Sequence, residues 1–359
     1  MTTDRLRIAM LAPPWIAVPA PAYGGIEEVV RLLCDGLVAA GHDLTLFAPG
    51  GSESPAEVVA VLEAPHPDEI QVARIEADHV ARAFGAIDVA REEGKPYDIV
   101  HDHVGHTALA MADRMSVPLV HTLHGPFDDD ACRFYGEHGH KACIVAISQA
   151  QLDDAPPAMG GGVVVHNPID VGEWPWREEK DDYLLWIGRM SPDKGAHRAA
   201  AAAREAGVRL LIAGPVQPGQ EEFFTEEVEP LLGDGVEYVG EADAARKREL
   251  YLHARGLLMP IRWPEPFGLV MAESLACGTP VIAFPEGSAP ELVRDGETGF
   301  LVADEHAMAA AVGRLGEIDP AACRRDCEER FGLAAVVRGY EDVYRSAMTH
   351  RAGQDSVLG

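Results

Sequence analysis

Short apolar runs alternate with longer amphipathic stretches along most of this chain. In the first half the runs are RIAMLA (7–12), LTLFA (44–48), DIVHD (98–102), LVHTLH (119–124), IVAIS (144–148) and VVVHN (163–167). Each is bounded by polar or glycine-containing segments, as expected of short strands buried in a sheet. Between the first two, residues 27–40 read as a helix. Strands that alternate with helices predict a parallel, doubly wound sheet. The alternation breaks at Asn167–Pro168–Ile169–Asp170 and in the polar stretch EWPWREEKDD (173–182). It restarts with YLLWIG (183–188), a helix through Ala199–Ala206, RLLIAG (209–214), VEYVG (236–240), LLMPI (257–261) and VIAF (281–284). The expectation is an α/β fold of two Rossmann-like domains, residues 1–170 and 171–332, followed by an amphipathic helix over Leu333–Met348. Open parallel sheets bind ligands beyond the carboxyl ends of their strands, so two such domains facing each other predict a cleft lined by both.

The segment from Arg262 to Leu301 carries the densest chemistry. Pro264 and Pro266 hold the chain extended or turning until Phe267–Gly268, after which Leu269–Val270–Met271–Ala272 can wind up. A helix start presents free backbone N–H groups, and Gly268 admits a ligand close to them, which suits a phosphate or a sugar hydroxyl. Glu265 precedes that helix and Glu273 lies just over one turn inside it, so the two carboxylates can reach different parts of one ligand. A second segment, IGRMSPDKG (187–195), ends a strand at Gly188 and sets Arg189 and Lys194 in the loop that opens the next helix. A guanidinium fork and an ammonium offer a diphosphate its countercharge without a metal. A third, PAYGGIEEVV (21–30), puts Gly24–Gly25 ahead of a helix, where the backbone can approach a ligand. It is not the G-x-G-x-x-G dinucleotide fingerprint.

Histidines supply a rival chemistry. HDHVGH (101–106) and HTLH (121–124) fall at expected strand ends, and with Asp102 they offer ligands for zinc, although the spacing matches no common zinc pattern. Asp128–Asp129–Asp130 contains a D-x-D, but at an expected helix start, where acidic side chains compensate the dipole.

Taken in order, the Glu265–Glu273 pair, CGTPVIAF (277–284), EGSAPELV (286–293) and DGETGFLV (295–302) resemble the C-terminal signature of the retaining glycosyltransferases of family 4, which have the GT-B architecture. The stretch from APPW (12–15) to GHDLTLFAPGGS (41–52) is similar to the subgroup that contains the avilamycin glycosyltransferase. The resemblance implies transfer of a sugar from a nucleotide-diphosphate sugar, with retained configuration, to a hydroxyl acceptor that is a small molecule, a glycan or lipid-linked. It implies that Glu265 faces the donor sugar, that Glu273 holds the ribose, and that Arg189 and Lys194 bind the diphosphate. The backbone at Phe267, Gly268 and Leu269 would meet the sugar and diphosphate, the Gly24–Gly25 loop would lie beside the phosphates and acceptor, and His124 would contact the donor sugar. His103 and His106 would line the acceptor side, and His121 would be structural. By the same resemblance the first domain takes the acceptor, the second takes the donor, and helix 333–350 crosses back to the first. No metal and no cofactor is expected.

Composition permits this. The chain has 359 residues, 47% of them hydrophobic, enough for two cores. A formal charge of −28 argues against nucleic acid and anionic bilayers as partners. Six cysteines without a CxxC pair fit reduced thiols in a cytoplasmic protein, and no apolar run reaches the length of a membrane span. Two other readings stay in view: a nucleotide-sugar-binding protein without catalysis, and a metal-dependent hydrolase built on His101, His103 and His106.

Overall fold

The computed structural model describes residues 5–21 and 24–358, without the side chains of 350–358. It falls into two compact units, Met1–Pro168 with Leu333–Gly359, and Ile169–Gly332.

The first unit holds a seven-stranded sheet. Its strands are β1 (Arg7–Leu11), β2 (Asp43–Pro49), β3 (Glu57–Leu62), β4 (Ile99–Asp102), β5 (Leu119–Thr122), β6 (Cys143–Ala146) and β7 (Val163–Val164). Their order is β3-β2-β1-β4-β5-β6-β7, with every neighbouring pair parallel. Helices cover both faces, as parallel pairing requires. Ile8 and Met10 of β1 point into one layer with Val30, Leu33 and Leu37, while Ala9 and Leu11 point into the other with Phe47, Val80 and Phe84. The C-terminal helix, Leu333–Leu358, enters the first of these layers through Val336, Tyr340, Val343 and Tyr344. That apolar face is why the last segment belongs with a unit from which it is remote in sequence. Gly36 admits it closely, since a Cβ there would lie 2.6 Å from Val337.

The second unit holds six parallel strands: β8 (Leu184–Ile187), β9 (Leu210–Ala213), β10 (Val236–Tyr238), β11 (Gly256–Met259), β12 (Val281–Ala283) and β13 (Gly299–Leu301). Their order is β10-β9-β8-β11-β12-β13. Two strands, β3 and β13, are absent from the sequence-based list. β3 sits half-buried at a sheet edge although its sequence, EVVAVL, is a continuous apolar run that could have been read as a strand, and β13 has only three residues.

In each sheet the chain runs outward from one central strand and then returns to that strand's other side. The reversals fall between β1 and β4 and between β8 and β11. At such switch points the loops leaving neighbouring strands diverge and open a crevice beyond the carboxyl ends. Among the described residues no helix is long and apolar enough to cross a membrane.

Candidate functional site

In the second unit the loops that follow β8 and β11 are laced together. After β8 the chain turns through Arg189 to Gly195 and enters the helix Ala196–Ala206. Gly195 has φ +79°, and a Cβ there would lie 2.4 Å from the Pro260 carbonyl oxygen, so glycine alone lets this loop press on the end of β11. The Arg262 N–H donates to the Asp193 carbonyl at 2.9 Å, and Arg198 Nε donates to that of Pro260 at 2.8 Å. The Trp186 indole N–H donates to the Lys194 carbonyl at 3.2 Å. These ties carry Lys194 Nζ to 2.5 Å from Glu265 Oε2.

Glu265 is held at its backbone as well. Gly287, at φ +53°, approaches so closely that a Cβ would lie 2.4 Å from the Glu265 nitrogen, and the Ser288 N–H donates to the Glu265 carbonyl at 3.0 Å. Gly188 lies between the end of β8 and Arg189, its N–H bonded to the Ala213 carbonyl at 3.1 Å. Arg189, half-buried in the same loop, forms no ion pair among the described residues.

Gly268 caps the helix Leu269–Ala276 at φ +77°, in the left-handed region. The Phe267 carbonyl accepts from Ser288 Oγ at 2.7 Å, and Leu269 is half-buried at the first turn. One turn further, Glu273 Oε1 lies 2.5 Å from Lys247 Nζ, and its Oε2 accepts from the Tyr251 hydroxyl at 3.1 Å. The Trp174 ring stands 5.6 Å from the same lysine. Glu265 repeats the arrangement, with the Trp263 indole N–H donating to Oε2 at 3.0 Å. Both glutamate side chains are about nine-tenths buried. Burial of that degree is tolerable because each has a cation and a neutral donor. A carboxylate has about four acceptor sites, so both keep capacity for a ligand hydroxyl.

In the first unit the switch point between β1 and β4 carries the Gly24–Gly25 loop. Gly25 opens the helix Gly25–Ala39, and at Gly24 a Cβ would meet the Glu27 carboxylate at 2.8 Å. The glycine thus makes room for a buried glutamate, whose carboxyl burial pushes above its ordinary pKa. Ala22 and Tyr23 lie outside the described residues.

The histidines beyond β4 and β5 form a hydrogen-bonded lattice. His121 Nδ1 is 2.6 Å from Asp102 Oδ2, and its Nε2 is 3.0 Å from the Tyr135 hydroxyl. His101 engages Tyr344 through Nδ1 at 2.8 Å and Thr122 through Nε2 at 2.9 Å. His103 Nδ1 meets Nε2 of the half-buried His124 at 2.8 Å. Burial, reinforced by neighbouring imidazoles, holds His101, His103 and His124 neutral, with the His124 pKa pushed down to about 3.

Two expectations need correction here. His103 is a buried partner of His124 and lines no open surface, whereas His106 is exposed, its ring tilted against that of Phe134 with centroids 4.4 Å apart. The hydrolase cluster is not assembled either, because both nitrogens of His101 are committed to hydroxyls and the exposed His106 ring rests against Phe134 and Tyr135. Among the described residues no three His, Cys, Asp or Glu side chains are arranged to hold a metal ion. The aspartate triplet serves the backbone, since Asp128 caps the helix Asp129–His138 by accepting from the Ala131 N–H at 2.8 Å.

Three residues of the carboxylate clusters were not singled out from sequence. Trp263 lies two positions before Glu265, and that nearness was a usable signal. Lys247 and Tyr251 come from the helix Ala244–His253, and nothing in their own segment marks them.

Comparison with known proteins bears on the same regions. Residues 23–173 match the model of Glycosyltransferase Family 4, and residues 173–328 match that of Glycosyl transferases group 1. The chain is 27% identical over 374 aligned positions to glycogen synthase of Mycobacterium tuberculosis, covering 89% of this chain and 88% of that one. It is 28% identical to the D-inositol 3-phosphate glycosyltransferase of Acidothermus cellulolyticus, covering 96% and 91%. Among solved structures it is similar to AviGT4, a glycosyltransferase involved in avilamycin A biosynthesis, with a TM-score of 0.72, 28% identity, and coverage of 96% and 98%. With two parallel Rossmann-like sheets and family matches that together run from residue 23 to 328, the chain belongs to the family 4 glycosyltransferases of GT-B architecture.

Proposed function

We propose that this chain moves a glycosyl group from a nucleotide-diphosphate sugar to a hydroxyl acceptor, with retained anomeric configuration and without a metal ion. The observation that carries the proposal is the cluster at the carboxyl ends of β8 and β11. There Lys194 lies 2.5 Å from Glu265, and Arg189 has no carboxylate partner among the described residues. A guanidinium without a carboxylate suits a diphosphate, and a lysine paired with an acid can exchange that partner for a phosphate oxygen.

In the reaction, the bond between the anomeric carbon and the diphosphate oxygen breaks, and its electron pair leaves with the diphosphate. Arg189, Lys194 and the backbone amides at Phe267, Gly268 and Leu269 stabilise that charge as it develops. The acceptor hydroxyl oxygen bonds to the anomeric carbon on the face the diphosphate leaves, and its proton passes to a diphosphate oxygen. Glu265 orients the sugar hydroxyls, Glu273 holds the ribose, and His124 donates to or accepts from a sugar hydroxyl as a neutral imidazole. On this assignment the second unit is the donor domain, with Gly188 shaping its loop, and the first is the acceptor-side domain, with Gly24 and Gly25 at its switch point. All six cysteines are free, in keeping with a reducing cytoplasm, and burial pushes the thiols of Cys34, Cys277 and Cys323 up to about 12, which keeps them protonated and unreactive.

The test is turnover of UDP-, GDP- and ADP-sugars with a chelator present, with the product anomer assigned by proton NMR. Retained configuration at undiminished rate supports the proposal. An inverted product would overturn retention, and activity restored only by a divalent ion would overturn metal independence.

A further inference from the structure

We infer that Trp263 is a positioning residue for the donor's diphosphate-sugar head group, acting on Lys194 and Glu265 at once. Its ring face lies 4.2 Å from Lys194 Nζ, and its indole N–H donates to Glu265 Oε2 at 3.0 Å. The same carboxylate oxygen is paired with Lys194 at 2.5 Å. One side chain therefore contacts both members of an ion pair, each by the chemistry its charge prefers: a π face for the cation and an N–H for the anion.

The consequence concerns what a donor must do on arrival. If the inference holds, and it rests on the donor site proposed above, an incoming diphosphate draws Lys194 away from Glu265. A closed lysine–glutamate pair resists that exchange, because separation leaves a mostly buried carboxylate with no donor. With Trp263 present, the ammonium turns toward phosphate while still resting on the indole face, and Glu265 Oε2 keeps the indole N–H. Glu265 then stays aimed at the sugar after its cation has gone. Trp186 plays a separate part, since its N–H holds the Lys194 carbonyl and so fixes the loop while Trp263 governs the head of the side chain.

Two substitutions separate these contacts. Trp263→Phe keeps a ring face and removes the N–H, whereas Trp263→Leu removes both. The readout is nucleoside diphosphate released from UDP-glucose, GDP-mannose or ADP-glucose, whichever the unaltered protein turns over, with water as acceptor, together with Kd for the matching nucleoside diphosphate. In Trp263→Phe, kcat should fall about tenfold, the worth of one charge-assisted hydrogen bond. Its donor KM and diphosphate Kd should stay within about twofold, because the lysine platform survives. In Trp263→Leu, the diphosphate Kd should rise as well, by several-fold. Thermal midpoints of both variants establish that the fold is kept, and if Trp263→Leu does not fold, the split in Trp263→Phe decides alone. Unchanged kcat in Trp263→Phe would overturn the inference. So would parallel losses in kcat, KM and thermal midpoint, which would mark a merely structural tryptophan. If the unaltered protein neither binds nor turns over any of the three donors, the donor site itself fails and takes the inference with it.

Discussion

At the scale of the residue, the site depends on pairs. Lys194 with Glu265 and Lys247 with Glu273 are cation–carboxylate contacts in which the acid is nearly buried and the base only somewhat more exposed. Removing the base leaves an uncompensated buried charge, and that costs more than the pair is worth. Lys194→Ala should therefore lower stability by about 1–3 kcal/mol in urea titration and lower transfer more than about 100-fold. Glu265→Gln keeps shape and hydrogen-bonding capacity, so its thermal midpoint should hold near that of the unaltered protein while transfer falls by a similar factor. Unchanged turnover in either variant would remove that residue from the proposed mechanism.

At the scale of the element, loops reach one another only where glycine allows it. Gly195 and Gly296 both have positive φ, +79° and +77°, but a Cβ at Gly195 would strike the Pro260 carbonyl whereas one at Gly296 would meet nothing within 4 Å. Gly296→Ala should cost about 1 kcal/mol, the backbone penalty alone. Gly195→Ala should cost about 2–4 kcal/mol and weaken diphosphate binding as well, because the loop bearing Lys194 must lift off β11. Denaturant midpoints with a parallel nucleotide titration check both.

Elements also mark how far the sequence could be read. The alternation of apolar runs predicted both sheets because parallel strands buried on two faces are apolar throughout, and RWPEPFG and IGRMSPDKG announced their chemistry by composition and place. β3 was legible too, since VVAVL (58–62) is a continuous apolar run, whereas β13, three residues long, offered too short a pattern. Lys247 escaped because its helix position matters only once folding has set it beside Glu273. The histidine lattice was visible as a cluster, but its arrangement into Asp102–His121–Tyr135, His101–Thr122–Tyr344 and His103–His124 was not, because Tyr344 arrives from the C-terminal helix.

At the scale of the whole molecule, the buried imidazoles link stability to pH. Burial lowers the pKa of His79 from 6.5 to about 4, and His101, His103 and His124 shift the same way. Unfolding therefore takes up protons below pH 6.5, and stability must fall as pH falls. The contribution of these residues is complete above pH 6.5 and is lost progressively as pH drops toward 4. Urea midpoints should decline from pH 7 to pH 5, with proton uptake on unfolding at pH 5.5. A flat profile across that range would show that His79, His101, His103 and His124 are not held neutral. The sites of the two units should also respond differently to ligand: nucleoside diphosphates should protect backbone amides in 187–195 and 265–273 from hydrogen exchange.

The most direct test of the donor assignment is a thermal-shift panel of UDP-, GDP- and ADP-sugars with a chelator present. A ligand that binds only the folded protein at about 100 times its Kd adds about 2.7 kcal/mol of apparent stability. One nucleotide-sugar should raise the midpoint selectively, and Lys194→Ala should abolish most of the rise. Absence of any shift until a divalent metal is supplied would contradict the assignment and return attention to the histidines beyond β4 and β5.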